Sequence, residues 1–391
     1  MRILFVNRVM GLWRGGGETF DLNTAKGLQK RNHEIEFITG CKKNGEVPFP
    51  VNEFKTHYIY TPYLSRLATK LPFKVKGLGK LWHLDNYWWG SEVFNYLKEN
   101  DKFNYYDAIW ILTLPHLNKK IKAHYDTPTI IRFPGPPDPV LLKVIKKLPF
   151  VIVNGDTYHY LKKENVNCIN IPPSPNLVEI HNKLDIRKLM RAQHQIKDDE
   201  LAVIYVGRLI NMKNIAFLIK GVKQLIDSTK KVVKLMIVGD GEERHRLEKL
   251  VKQLHMEKNV IFTGFVDNKD IYKYYIASDI YALLSTYESF SIATLEAMYY
   301  GLPVIVSNVG WLKNLVENNV TGNLINLDDI DSLVYNLRKY VENENLRKNI
   351  GSNGERYVTD KFSWESNAVT IERIFMSQIP NSVVEETSRV L

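Results

Sequence analysis

The chain has 391 residues, 45% hydrophobic and 25% charged, with a formal net charge of +10 at pH 7. At roughly 100–200 residues per domain it is long enough for two domains with separate cores, and its composition excludes both a disordered chain and a disulfide-stapled miniprotein. Cys41 and Cys168 stand apart in the sequence with no Cys/His cluster around them, so no zinc site or disulfide framework is signalled.

The first residues, MRILFVNRVMGLW, read as a strand over Arg2–Asn7 rather than a signal sequence, because Asn7 and Arg8 interrupt the apolar run. No apolar run of about 18 residues follows, so a cytoplasmic protein is expected, with any membrane contact peripheral on the inner face of the plasma membrane. After that strand come Arg14 and three glycines, Gly15, Gly16 and Gly17, which open a helix. Bare backbone N–H groups there can approach a phosphate or a sugar hydroxyl. Further strands are expected at Glu34–Thr39, Asp107–Leu112, Thr129–Arg132, Phe150–Asn154 and Cys168–Ile171.

Between the Glu34–Thr39 and Asp107–Leu112 strands, residues 64–82 hold Arg66, Lys70, Lys74, Lys76 and Lys80 with no acid, interleaved with leucines, Phe73 and Trp82. Basic and apolar residues mixed in this way suit an anionic membrane surface. Residues 1–185 carry 26 Lys and Arg against 17 Asp and Glu, whereas the remainder is nearly balanced, so an anionic partner is expected for the first half. His116 stands just after the Asp107–Leu112 strand and Arg132 at the end of the next.

Three prolines within residues 169–183 favour an extended connector. A second series of strands follows at Ala202–Val206, Val233–Val238, Val260–Thr263, Ile280–Leu284, Pro303–Val306 and Asn323–Ile325. Strands alternating with helices in both halves give an α/β class with two Rossmann-like domains. The expected divisions are residues 1–175, 176–365 and a C-terminal helix and tail at 366–391, the helix returning to the first domain.

In the second half, Arg208 follows a strand and Lys213 stands at a helix N-terminus five residues on, a spacing that lets both converge on one anion such as a diphosphate. Glu288 precedes another helix, whose opening residues Ser289, Phe290, Ser291 and Ile292 offer free N–H groups. Glu296 lies two turns further and could hold a ribose diol. Asp329 and Asp331 form an Asp-x-Asp at the start of a helix, a position better suited to N-capping than to Mn²⁺ or Mg²⁺, so no metal and no cofactor is expected.

Arg208 with Lys213, the Glu288 and Glu296 pair, Ala297-Met298 and Gly301-Leu302-Pro303-Val304 resemble the signature of family 4 retaining glycosyltransferases, the glycosyl transferases group 1 with the GT-B fold. The likeness is specific over about residues 200–325 and collinear, though weaker, through the Gly15–Gly17 loop. It implies two Rossmann-like domains facing a central cleft, with a nucleoside diphosphate sugar held mainly by the second and a saccharide or lipid-linked acceptor by the first. Arg208 and Lys213 would grip the diphosphate, Glu288 the transferred sugar and Glu296 the ribose. Gly16, Gly17, Gly239 and Phe265 would line the donor site with residues 289–292.

Two positions depart from the family pattern. Ser291 stands where members commonly have glycine, a change that constrains the shape of the sugar. Arg132 occupies the place where many relatives carry a histidine, leaving it to bind an acidic acceptor group or the donor's phosphate, with His116 as its expected neighbour in the acceptor site. Two other functions compete with this one. An NAD(P)-dependent oxidoreductase is suggested by Gly239-x-Gly241 after a strand, but Arg244 stands where the third glycine of the dinucleotide fingerprint belongs. A nucleic-acid-binding protein is suggested by the basic first half, without any recognisable motif, and no nucleic-acid partner is expected.

Overall fold

The computed structural model describes residues 1–12, 15–61, 80–175, 178 and 180–378. They form two compact units: Met1–Pro173, completed by the helix that begins at Trp364, and Ser174–Ser363.

The first unit runs β1 (Arg2–Asn7), α1 (Gly16–Gln29), β2 (Glu34–Cys41), β3 (Lys55–Tyr60), α2 (Lys80–Glu99), β4 (Ala108–Leu112), α3 (Pro115–His124), β5 (Thr129–Phe133), α4 (Pro139–Ile145), β6 (Val151–Val153), α5 (Asp156–Lys163) and β7 (Cys168–Asn170). Its sheet has the order β3-β2-β1-β4-β5-β6-β7, with every pairing parallel. Alternate side chains of β1 enter different cores: Ile3 and Phe5 join Phe20, Phe37 and Trp110, while Leu4 and Val6 join Trp89, Ile109 and Phe133. Burial on both faces is why the central strands read as continuous apolar runs rather than as an alternation.

The second unit runs α6 (Lys183–Gln193), β8 (Leu201–Val206), α7 (Ile215–Ser228), β9 (Val233–Val238), α8 (Arg244–Gln253), β10 (Val260–Gly264), α9 (Ile271–Ala277), β11 (Ile280–Leu283), α10 (Ile292–Tyr299), β12 (Val304–Ser307), α11 (Leu312–Leu315), β13 (Gly322–Ile325), α12 (Ile330–Glu342) and α13 (Glu344–Lys361). Its parallel sheet is ordered β10-β9-β8-β11-β12-β13. Both sheets reverse direction of growth once, between β1 and β4 and between β8 and β11. In open α/β sheets, ligands bind outside the carboxyl ends of the strands at such a switch point. Asp329 caps α12, accepting a hydrogen bond from the Ser332 N–H at 2.8 Å.

The last helix, α14 (Trp364–Met376), returns to the first unit and packs on α1. Gly27 makes this approach possible, since a Cβ there would lie 2.9 Å from Ala368. Glu372 then accepts hydrogen bonds from Arg31 at 2.5 Å and pairs with His33 at 2.7 Å. No described helix is long and apolar enough to cross a membrane.

Candidate active site

In the second unit the loops after β8 and β11 flank the switch point, and they carry Arg208, Lys213 and Glu288. After β8, Gly207-Arg208 leads to a single 3₁₀ turn, Asn211–Lys213, and Asn214 in the left-handed region starts α7. The Thr286 N–H donates to the Met212 carbonyl at 2.8 Å, tying this turn to the loop after β11. Lys213 Nζ then meets Glu288 Oε2 at 2.5 Å, both side chains largely buried, and Ser285 Oγ donates to the same oxygen at 3.4 Å. Beneath Glu288 the chain is fixed by Gly310, whose φ of +50° admits the Trp311 N–H to the Glu288 carbonyl at 3.0 Å. A Cβ on Gly310 would sit 2.0 Å from that carbonyl oxygen.

Arg208 differs from its neighbour. Its backbone carbonyl accepts from the buried Tyr205 hydroxyl at 2.9 Å, while its side chain is exposed. Among the described residues no carboxylate forms an ion pair with it. The two loops therefore carry one exposed guanidinium and one carboxylate already held by a lysine and a serine. Such a guanidinium is available to an anion, which it can grip with paired N–H groups.

Glu296 lies on α10, where its Oε2 accepts from the Tyr275 hydroxyl at 3.2 Å. Burial raises the Tyr275 phenol well above its ordinary value, with the Glu296 carboxylate adding to the effect. This keeps the phenol a donor, so it holds the carboxylate on one side. Tyr281, buried between, is also raised by burial, with the charges of Glu288 and Glu296 contributing.

Ser291 caps α10, its Oγ accepting from the Thr294 N–H at 3.2 Å and from the Thr294 hydroxyl at 2.8 Å. Its hydroxyl is thus turned into the helix. Phe290 stacks on Trp311 with centroids 6.2 Å apart, and Ser289 and Ile292 are half-buried around it. Gly239, at φ +132°, passes so close to the β8 loop that a Cβ would lie 2.0 Å from the Gly207 carbonyl oxygen, and its N–H donates to the Gly264 carbonyl. Phe265, next in the chain, is 74% exposed.

The first unit treats its expected residues otherwise. Arg132 is 1% exposed and does not offer its guanidinium to an acceptor. Its Nη1 pairs with Asp21 Oδ1 at 3.0 Å and donates to the Gly17 carbonyl at 3.2 Å, while the guanidinium lies 3.9 Å over the Phe20 ring. Asp21 also accepts from Trp110 at 3.1 Å and Asn7 at 2.9 Å. Arg132 thus anchors the start of α1 from within. Asp21, its determining partner, carried no motif in the sequence; two charged residues 111 positions apart give no local signal of pairing.

Gly16 and Gly17 form the first turn of α1, where Glu18 Oε2 caps the Gly15 N–H at 2.9 Å. His116 opens α3 with its ring 5.3 Å from that of Tyr87, and partial burial, with Lys119, His83 and Lys120 adding, lowers its pKa. Just before it, Thr113 takes φ +55°, a strained conformation for a β-branched residue, at the carboxyl end of β4. Among the described residues no group of three or more His, Cys, Asp or Glu could hold a metal.

The chain is similar to known proteins. Residues 186–357, within the second unit, match the family described as glycosyl transferases group 1. An uncharacterized glycosyltransferase of Methanocaldococcus jannaschii is 33% identical over 187 residues, 47% of each chain, so that likeness spans about half its length. The N-acetyl-alpha-D-glucosaminyl L-malate synthase of Bacillus anthracis is 26% identical over 92% of this chain and 93% of its own. Among solved structures, the sucrose-phosphate synthase of Thermosynechococcus elongatus superposes with a TM-score of 0.77 at 20% identity, covering 96% of this chain and 98% of that one. Anabaena HepE in complex with UDP and glucose superposes with a TM-score of 0.73 at 18% identity, covering 96% and 100%.

The fold is GT-B. Glycosyl transfer is the activity these likenesses support, and none of them supports hydride transfer or nucleic-acid binding.

Proposed function

We propose that the chain is a family 4 retaining glycosyltransferase, moving a sugar from a nucleoside diphosphate donor to a hydroxyl of a saccharide or lipid-linked acceptor. The observation that carries this is the exposed Arg208, without an ion pair among the described residues, on the same loop as Lys213, which holds Glu288 at the switch point of the second sheet. Support comes from relatives. The matching proteins include a Campylobacter jejuni transferase and an Escherichia coli galactosyltransferase, both named for acceptors linked through diphosphate to undecaprenol.

In this mechanism the second unit holds the donor. Arg208 and Lys213 face the diphosphate, Glu288 orients the sugar hydroxyls and Glu296 takes the ribose. The acceptor hydroxyl attacks the anomeric carbon on the face that the diphosphate vacates. The C–O bond to the diphosphate breaks as the new glycosidic bond forms, and the departing phosphate oxygen takes the acceptor proton. Configuration is retained, and the main demand on the protein is stabilising the leaving charge, which the two cations supply without a metal. The first unit, basic in sequence, binds the acceptor and sits peripherally on an anionic membrane from the cytoplasmic side, through residues 64–82. Of that segment, residues 64–79 lie outside the described residues.

The test is a panel of UDP, GDP and ADP sugars scored by thermal shift and then by donor hydrolysis with and without EDTA. A true donor at about 100 times its Kd stabilises the fold by about 2.7 kcal/mol. Turnover is expected to persist in EDTA. A loss reversed only by Mn²⁺ or Mg²⁺ would assign the leaving-group charge to a metal instead, and no shift with any donor would overturn the reading.

A further inference from the structure

The outer face of α2 is built unlike a solvated helix face. Leu84, Tyr87 and Trp88, spaced i, i+3 and i+4, share one side of the helix and are 57%, 50% and 39% exposed. On the opposite side Trp89, Val93 and Leu97 are fully buried, and Trp89 Nε1 donates to the Ile59 carbonyl at 3.2 Å. That hydrogen bond and that packing fix the rotation of the helix, so its aromatic face cannot turn inward. Further along, the exposed positions become Asn95, Lys98 and Glu99, an ordinary polar surface. The apolar face is therefore confined to the first turns of α2. The edge strand β3 extends it, because Tyr60 is also exposed and meets Trp88 edge-on at 6.2 Å.

Cations border this face. Helix α3, which packs beside α2, has the sequence PHLNKKIKAH, with three lysines, two histidines and no acid. Lys120 lies 5.8 Å from the centre of the Tyr87 ring and donates to Ser91 at 2.9 Å, while Lys119 is exposed. Tryptophan and tyrosine with an apolar body and a polar tip, next to lysine, are the composition that settles at the boundary between lipid headgroups and acyl chains. A second copy of the chain is a poorer fit, since two such faces would bring together the same basic borders.

We propose that the start of α2, through Leu84, Tyr87 and Trp88 with Tyr60, is the surface by which the first unit inserts shallowly into an anionic lipid bilayer. The proposal rests on the peripheral-membrane reading above and assigns to it a described surface distinct from the basic run before it. The aromatic face supplies the apolar, salt-insensitive part of the binding, and the basic run supplies the salt-sensitive part.

The experiment uses the full chain with vesicles of phosphatidylcholine containing about a third phosphatidylglycerol, carrying brominated acyl chains in a parallel set. Bromolipid is expected to quench the wild type more than Trp88→Phe. The triple variant Leu84→Gln, Tyr87→Gln, Trp88→Gln is expected to partition at least tenfold more weakly at low and high salt alike, with an unchanged thermal midpoint because all three positions are on the surface. Replacing Lys70, Lys74, Lys76 and Lys80 by Gln should remove only the salt-sensitive part. Equal quenching of wild type and Trp88→Phe, with normal partitioning of the triple variant, would overturn the aromatic surface and leave the membrane reading standing. Failure of the wild type to sediment with any vesicle would overturn both. A concentration-dependent dimer abolished by the triple variant would give the face to a second copy and also overturn the proposal.

Discussion

Each unit sets a cation against a carboxylate beside the switch point of its sheet, yet the two pairs are put to different uses. In the first unit Arg132 and Asp21 are both fully buried, and Asp21 is further occupied by Trp110 and Asn7. In the second, Lys213 and Glu288 are also largely buried, but Arg208 on the same loop as Lys213 is exposed and, among the described residues, makes no ion pair. A pair closed off inside the protein and held by its neighbours holds structure. A pair with an exposed cation on the same loop is ready for a ligand.

The sharpest way to break this comparison is to remove one partner of the buried pair. Asp21→Ala should destabilise the protein by about 3–5 kcal/mol, because it leaves an uncompensated guanidinium in the core. Thermal and urea unfolding would show it, and Arg132→Met added to Asp21→Asn should recover much of the loss. A thermal midpoint unchanged in Asp21→Ala would show that the pair does not anchor α1.

At the second unit's loops the expected loss is in turnover rather than in stability. Glu288→Gln and Arg208→Ala should each cost about 2–4 kcal/mol of transition-state stabilisation, a drop of roughly 10²–10³ in kcat/KM, with the thermal midpoint nearly unchanged. Wild-type rates in both, with a verified donor and acceptor, would remove them from the site.

Sequence pattern reached the second unit further than the first. The cations after β8 and Glu288 after β11 lie within short loops whose flanking strands are unbroken apolar runs, so local spacing already placed them. Arg132 misled for the opposite reason: its position at a strand end suggested an open guanidinium, and the residue that closes it, Asp21, comes from a distant helix. At Ser291 the sequence carried no sign that the hydroxyl caps α10 by accepting from Thr294. Strand β3 escaped because KTHYIY is an edge strand whose residues are intermediate or exposed, and it lacks the buried apolar run of its neighbours. Its identity comes from pairing with β2, which no local pattern records.

That edge gives a smaller test on the structural side of the comparison. Burial alone would raise the Glu36 carboxyl, but hydrogen bonds from Lys55, Tyr106 and His57 outweigh it and hold the pKa down to about 2. Because the folded value lies below the unfolded one, the stabilisation is present above about pH 4.5 and is lost as pH falls from about 5 towards 2. With Lys55 exposed to solvent, the contribution is on the order of 1–2 kcal/mol. Urea midpoints of wild type and Glu36→Gln should converge over that window; parallel curves would refute the assignment.

The smallest expected effect belongs to Phe265. Its exposed ring suits stacking on a nucleobase, so Phe265→Ala should raise the donor KM severalfold, about 1 kcal/mol, with kcat little changed. An unaltered KM would remove Phe265 from the donor site.

Helix α14 has a consequence for the order in which the protein is made. It covers Phe20, Trp110 and Gly27 through Trp364, Phe375 and Ala368, yet 190 residues of the second unit are synthesised between Pro173 and Trp364. At about 5–20 residues per second, the first unit waits roughly 10–40 s on the ribosome with this apolar face uncovered. The second unit, though later in sequence, has its whole chain available first. A nascent chain arrested before Trp364 therefore holds a complete second unit and an unfinished first one, the stage at which a chaperone has most to bind.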